Sequence, residues 1–323
     1  MRMKNAIVSV WALSLLGFGG AALGVDSIDL AGHVPDEYEA VGGHATGLGN
    51  SGAAALGGFS AVRVNPAILP FETQYSVNGS YSWPTSGREF YHVGVVDSST
   101  SQLVAAGLSY TGFRDPYVRV PTDNGVDAPI DRRVTLALAH GFQKVSLGIS
   151  GQFVVGYDDA GNLVKGNGLG FGIAALLAPP LRVGASVENA INRNVEEFAP
   201  RTIRAGLAYL TLGGSVSLNL DYRQRQRVEA FEGQLPLFLV APAKEPDRAD
   251  ERMIIPSVST KVYDVLRLTG AYGQELGGEK RRILAAGIGL VHDGFALTYC
   301  AHQPYLNAPK VLSAVNLSLM VAL

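Results

Sequence analysis

The stretch Gln74–Trp83, QYSVNGSYSW, carries the pattern that decides the fold. Tyr75, Val77 and Tyr81 fall on one face of an extended chain together with Trp83, and the residues between them are polar or glycine. Side chains of a β-strand point alternately to its two faces. This period of two therefore predicts a strand with one apolar face and one polar face.

The same period recurs along the rest of the chain. Val145, Leu147 and Ile149, for example, alternate with Ser146 and Gly148. Counting such segments predicts about fourteen strands, with the usual uncertainty at their ends. They lie near residues 74–83, 88–97, 102–112, 131–141, 143–156, 166–177, 180–189, 201–211, 214–226, 252–262, 264–274, 281–291, 293–301 and 311–322.

Short and long connections alternate between these strands. Residues 141–143 and 211–214 are short turns, whereas residues 157–165 and 227–251 form long connections. An even number of antiparallel strands, with short turns at one rim and long loops at the other, is typical of a transmembrane β-barrel. Pro256 falls inside the tenth strand and, because it has no N–H to donate, predicts a bulge or a rim position there.

A soluble β-sandwich is the competing architecture, because it also alternates apolar with polar residues. The polar faces here are mostly Ser, Gly, Ala, Thr and Asn, rather than the Lys and Glu that soluble sheets show to water. We therefore predict an all-β transmembrane antiparallel barrel. In that barrel Leu147 and Leu218 face lipid near the middle of the membrane, and Ser146 and Ser217 face the lumen.

Composition and motifs narrow the classes of function. Lys and Arg number 26 against 28 Asp and Glu, so no basic field exists to bind a nucleic acid. The single cysteine, Cys300, permits no internal disulfide and no cysteine-based zinc site. The six histidines are scattered without metal-ligand spacing, and neither HExxH nor a phosphate-binding glycine loop occurs. We therefore expect no nucleic-acid partner, metal, cofactor or enzymatic activity.

The N-terminal residues have the pattern of an export signal. Arg2 and Lys4 precede an uncharged, mostly apolar run over residues 6–23, and Ala22–Gly24 supplies the small residues that a signal peptidase reads. We predict that residues 1–24 are removed, although a retained membrane anchor is the alternative. The mature chain then belongs in the outer membrane of a Gram-negative-type bacterium, surrounded by outer-membrane lipid.

Residues 25–72 separate this signal from the first strand. The segment is too small and too rich in glycine to form a domain of its own. A barrel of about fourteen strands is wider than the eight-stranded type that side chains alone can fill. We therefore predict that residues 25–72 form a plug, or hatch, inside a wall made by residues 73–323.

The predicted plug carries a motif. EAVGGHATGLGNSGAAA at residues 39–55 is followed by SAVRVNPAIL at residues 60–69. This Gly-rich and Ala-rich run into Asn-Pro-Ala, just before the first strand, resembles the N-terminal pattern of FadL-like outer-membrane proteins. That family includes hydrophobic-compound transporters and PorV-type secretion components. The resemblance implies a fourteen-stranded barrel with a hatch, and passive transport of a hydrophobic small molecule such as a long-chain fatty acid.

Candidate ligand-binding or gating residues come from the motif and from the lumen. Pro66 cannot continue a helix and biases Asn65 toward extended geometry, so a structural role is favoured for this pair over ligand contact. Charged residues on the lumenal face either line a path and hold a carboxylate, or pair with one another and brace the wall to the plug. The alternation places six of them there: Arg182, Glu188, Arg204, Asp221, Arg223 and Arg267.

The long connection 227–251 supplies the remaining candidates. It contains the apolar run Leu235–Val240, and exposed apolar runs often mark ligand or partner contacts. Leu237 and Phe238 either contact a hydrophobic ligand or protein partner, or pack over the barrel mouth. A protein partner at this loop corresponds to the alternative function, a non-conducting outer-membrane anchor or component of a secretion or surface complex.

Overall fold

The computed structural model of the protein describes fifteen stretches of the chain. They are residues 43–55, 57–84, 89–101, 103–114, 120–122, 125–127, 130–157, 163–193, 200–211, 215–226, 250–263, 265–277, 282–292, 294–303 and 312–321. The predicted export signal, the first part of the predicted plug, Leu237 and Phe238 lie outside the described residues. Across the described stretches, no helix is long and apolar enough to cross a membrane.

Sixteen strands occur within the described residues, and fourteen of them form one closed barrel. They are β1 (Tyr75–Pro84), β2 (Glu89–Asp97), β3 (Val104–Arg114), β4 (Val120–Thr122), β5 (Gly125–Asp127), β6 (Ile130–Phe142), β7 (Val145–Tyr157), β8 (Leu163–Ala178), β9 (Leu181–Arg193), β10 (Thr202–Leu210), β11 (Val216–Arg225), β12 (Glu251–Val262), β13 (Leu266–Glu275), β14 (Arg282–His292), β15 (Phe295–Gln303) and β16 (Leu312–Val321). The predicted antiparallel barrel of fourteen strands is confirmed.

Closure joins the first strand of the wall to the last. β1 pairs with β16 from Tyr75 opposite Val321 to Pro84 opposite Leu312, and each remaining wall strand pairs with its sequence neighbours in the barrel. β4 and β5 instead form a separate two-stranded hairpin between β3 and β6, which pair directly with each other. The sequence pattern predicts only a loop there, because three-residue strands are too short to show a period of two.

The two faces of the strands agree with the predicted orientation. Leu147 and Leu218 are each 50% exposed on the outside, whereas Ser146 is fully buried and Ser217 is partly buried. A single closed sheet with this apolar exterior excludes the β-sandwich, because a sandwich buries its apolar faces between two sheets.

The depth of the two leucines differs from the prediction. Leu147 and Leu218 are each the third residue of their strands, which begin at Val145 and Val216, so both lie near the short-turn rim rather than in the middle of the wall. Leu220, which also faces outward and is 49% exposed, lies closer to the middle of the ten-residue strand β11.

Pro256 occupies the interior of β12, so the prediction of a bulge or a rim position is wrong. Ile254 pairs with Gln274 of β13, and Ser257 pairs with Ala271, in the same register. The ladder between β12 and β13 skips the proline, which has no N–H to donate, and then continues without a shift.

We expect an arginine on the outward face to destabilise the barrel more strongly, the closer it lies to the middle of the membrane. Leu220→Arg should cost about 2–4 kcal/mol and hinder assembly, because it places a cation near the middle of the membrane, and Leu218→Arg should cost less near the rim. Heat-modifiable gel mobility of extracted membranes measures the folded fraction. Ser217→Asn, on the adjacent lumenal position, is the control and should fold normally. Equal folding of all three variants would contradict the assigned faces.

Candidate functional site

Short helices and turns occupy the interior of the barrel. They are α1 (Gly43–Gly47), α2 (Ala61–Val64) and two 3-10 turns, Gly58–Ser60 and Pro66–Phe71. We call the described residues 43–55 and 57–72 the lumenal segment. α1 packs against β13 to β16, whereas the turn Pro66–Phe71 packs against β3 and β6 to β9. A segment that contacts opposite sides of a closed wall lies within its lumen.

Asn65 fixes the path of the lumenal segment. Its backbone is extended, with φ −160° and ψ 100°, and it ends α2, while Pro66 opens the following 3-10 turn. The Asn65 amide donates to the carbonyl of Ala53 at 2.7 Å, and its side-chain oxygen accepts from the N–H of Ala67 at 3.1 Å. A further bond reaches the carbonyl of Ile173 in β8 at 3.2 Å.

Asn65 therefore ties two parts of the segment to each other and to the wall. The predicted end of the helix at this motif agrees with the structure, but the chain enters the wall only at β1, after the turn Pro66–Phe71. Participation of Asn65 and Pro66 in gating stays a prediction.

Two wall glycines let the segment approach this closely. A Cβ on Gly184 of β9 would lie 2.1 Å from the carbonyl oxygen of Ala53, and one on Gly172 of β8 would lie 2.1 Å from Oδ1 of Asn65. Any larger side chain would push the lumenal segment away from the wall. The sequence offers no means of separating these glycines from the many others in the chain.

A buried acid on the wall binds the segment by charge. Glu188 of β9 forms two ion pairs. Its Oε1 lies 2.9 Å from a guanidinium nitrogen of Arg63 in α2, and its Oε2 lies 3.0 Å from one of Arg204 in β10. All three side chains are less than 10% exposed. Because Arg63 belongs to the segment and the other two to the wall, the triad matches the brace that we weighed against a ligand role. The sequence analysis missed Arg63, because nothing in the pattern shows which lumenal charge it meets.

Two further acids take different roles. Asp221 of β11 accepts the backbone N–H of Ala53 at 2.7 Å and so holds the segment on a third strand. Glu251 of β12 receives Arg223 at 3.2 Å and Arg225 at 3.5 Å, both from β11. The described contacts of that second group join one wall strand to the next.

A cavity of about 420 Å³ lies between the segment and the short-turn ends of strands β9 to β13. Arg182 and Arg267, predicted to face the lumen, line it together with Lys261 and with Glu72 and His44 of the segment. The predicted charged residues do not meet in one site. Glu188 and Arg204 belong to the triad, Arg182 and Arg267 line the cavity, and Asp221 and Arg223 make the separate contacts described above. Contact of any of them with a ligand stays a prediction.

Burial favours the neutral form of two titratable groups of the segment, His44 and Glu72. Burial lowers the pKa of His44 to about 3, with the nearby Arg267 as a second cause. His44 is therefore neutral at pH 7. Burial raises the pKa of Glu72, while Arg182, Arg267 and Lys261 act in the opposite direction. Among the described residues, no group of three or more His, Cys, Asp or Glu side chains is placed to hold a metal ion.

Solved structures of other proteins share this architecture. The toluene transporter TodX of P. putida superposes with a TM-score of 0.61 at 11% identity, over 91% of this chain and all of that one. The toluene transporter TbuX of Ralstonia pickettii gives 0.58 at 13% identity, over 90% and 98%. The CymD monoaromatic hydrocarbon channel gives 0.57 at 13% identity, over 87% and 96%.

The chain has the fold of these channels. The fourteen-stranded barrel that the N-terminal motif implies is therefore confirmed, whereas the hatch stays a prediction. At such low sequence identity the likeness concerns fold alone. No family model matches the chain, and no curated protein matches it.

We expect Glu188→Gln to loosen the lumenal segment. The variant leaves Arg63 and Arg204 buried without their acid, and breaking a buried ion pair costs about 3–5 kcal/mol. Single-channel current in a planar bilayer should become larger and noisier. Glu251→Gln is the matched control, because it removes an acid that pairs with two arginines of the wall, and it should lower thermal stability without raising the current. Equal currents from the two variants would count against the brace.

Proposed function

We propose that the protein is an outer-membrane channel for the passive passage of a hydrophobic small molecule, such as a long-chain fatty acid. The observation that carries this proposal is a wide closed barrel whose lumen holds a separate segment, attached by polar contacts and bordered by a cavity. The channels of the same fold are described as transporting toluene or conducting monoaromatic hydrocarbons. The cargo of those channels supports a hydrophobic cargo here.

The apolar exterior supports a location in the outer membrane. Side chains such as Leu136, Ile149 and Leu290 are about half exposed in the wall, which suits contact with lipid hydrocarbon. Residues 1–24 would direct export to that membrane, residues 25–72 would form the hatch, and residues 73–323 would form the wall. The barrel fold is shared with channels and transporters, and that supports a role other than catalysis.

A small molecule can cross the lumen only if the lumenal segment moves. The segment contacts strands on every side of the wall, so a molecule crosses either by displacing it or by squeezing past it. Apart from its continuation into β1, the segment is held by hydrogen bonds and one ion-pair triad, which can break and re-form, and no disulfide joins it to the wall within the described residues. The proposed mechanism is therefore a hatch that shifts within an unchanged barrel.

The single native cysteine allows this motion to be locked. A Cβ on Gly47 of α1 would lie 3.5 Å from the Cβ of Cys300 in β15, within the range of a disulfide. Thr269 crowds the same place, with its hydroxyl 2.4 Å from that Cβ, so the variant is Gly47→Cys with Thr269→Ala. We expect oxidation to lower whole-cell uptake of labelled oleate and a reductant to restore it.

The control locks the wall to itself. Gly287 of β14 pairs with Cys300, so Gly287→Cys with Thr269→Ala cross-links two wall strands and leaves the segment free. Its uptake should not depend on oxidation. Equal uptake by the oxidised and reduced forms of the Gly47→Cys variant, with the disulfide verified by peptide mapping, would refute the moving hatch. Absence of uptake in every form, including the unmodified chain, would favour the anchor alternative at residues 227–251.

Removal of the hatch should open the barrel. Deleting residues 25–60 leaves the wall strands intact and removes most of the segment, so the wall should still close. The intact protein should show little steady current in a planar bilayer, and the truncated form should show larger, steady openings. Identical low conductance in both forms would mean that wall side chains or loops fill the lumen, and the hatch mechanism would be abandoned.

A further inference from the structure

The cavity at the short-turn rim has an unusual distribution of charge. Of the described residues that line it, three are cations, Arg182, Lys261 and Arg267, and one, Glu72, is an acid. His44 adds no charge at neutral pH, because burial lowers its pKa to about 3. The described part of the lining is therefore positive even when Glu72 is ionised.

Two of the cations stand directly opposite each other. Lys261 of β12 pairs with Arg267 of β13 across the ladder, and both belong to the lumenal series of their strands. Like charges at directly opposed positions destabilise a sheet. Within the described part of the chain, neither Lys261 nor Arg267 forms an ion pair. A bound anion would relieve this repulsion.

Arg182 of β9 adds a third donor to the lining of the cavity. Its guanidinium carbon lies 5.5 Å from the centre of the Phe71 ring, which holds the side chain by a cation–π contact. The Nε of Arg182 is buried and lacks a hydrogen-bond partner among the described residues. Arginine recognises carboxylates through such N–H groups.

The rest of the lining suits an organic molecule rather than a bare ion. Leu48 of the lumenal segment and Leu210 of β10 contribute apolar surface, and Ser217, Asn219 and Ser259 contribute polar groups. The volume, about 420 Å³, falls within the range of small-molecule sites, which is about 300–1,000 Å³.

We propose that this cavity binds an organic carboxylate with a compact apolar body. The carboxylate lies among Lys261, Arg267 and Arg182, and the apolar part contacts Leu48 and Leu210. A neutral hydrocarbon would leave the opposed cations uncompensated and binds less well. Glu72 competes with the ligand for the same cations. The site goes beyond the proposed channel, because binding at this rim requires no molecule to cross the barrel.

Photolabelling of the purified full-length protein in detergent tests the site. The probe is 4-benzoylbenzoate, and its neutral partner is 4-benzoylbenzamide. We expect saturable labelling by the acid, mapped by mass spectrometry to residues 44–72 or to the short-turn ends of β9 to β13. Benzoate should compete with the label, whereas benzyl alcohol should not. Equal saturable labelling by the neutral amide would overturn the proposal.

Variants separate the cations of the cavity from others at the same rim. Lys261→Gln with Arg267→Gln should weaken labelling about tenfold or more, because the carboxylate loses two charged hydrogen-bond donors. Lys144→Gln changes an exposed cation in the β6–β7 turn and should leave labelling unchanged. Heat-modifiable mobility establishes that each variant is folded.

Substitution of Glu72 gives a further test, because its expected result, stronger labelling, could not arise from misfolding. Glu72→Gln removes the competing carboxylate and should strengthen labelling by 4-benzoylbenzoate severalfold. Weaker labelling of Glu72→Gln, or unchanged labelling of the folded double variant, would overturn the site. Because the readout is binding, a failure here leaves oleate uptake unaffected, and a failure of uptake leaves the labelling result standing.

Discussion

The absence of water in the hydrocarbon core of a membrane is the constraint on which the rest of this structure depends. Every backbone N–H and C=O at that depth must find a partner within the protein, and an open sheet leaves two edges unpaired. Pairing of β1 with β16 removes both edges. Closure over fourteen strands also sets the width of the barrel, and that width exceeds what wall side chains fill. The lumenal segment is the consequence.

The contacts between segment and wall combine two kinds of surface. Near α2 and the turn Pro66–Phe71, small apolar residues such as Ala61, Ala67 and Ala137 pack in one buried cluster. Around it lie polar anchors, including the Arg63–Glu188–Arg204 triad. Apolar packing excludes water but is not directional, whereas the polar anchors fix the orientation of the segment in the lumen. The described segment therefore packs against the wall in one orientation, and a cavity lies beside it at the short-turn rim.

The sequence predicts the wall far better than the lumen. A period of two is a local signal, so strand positions and the outward face of Leu218 follow from it directly. The partner of Glu188 is a residue 125 positions earlier, Arg63, and no local pattern encodes that distance. Likewise, alternation places Arg267 on the lumenal face, but only the register of β12 and β13 brings Lys261 opposite to it. The missed features are those that depend on long-range pairing.

The lumenal segment also imposes an order on folding. Its anchors join residues far apart in the chain, such as Ser51 with Ser257 and Ala53 with Asp221, 206 and 168 positions apart. Contacts of such separation form slowly, because the loop that they close costs entropy before it brings any stabilisation. The segment precedes every wall strand in the chain, yet the enclosure around it is complete only once β16, the last strand, pairs with β1. The first part of this architecture to be synthesised is thus among the last to reach its final surroundings.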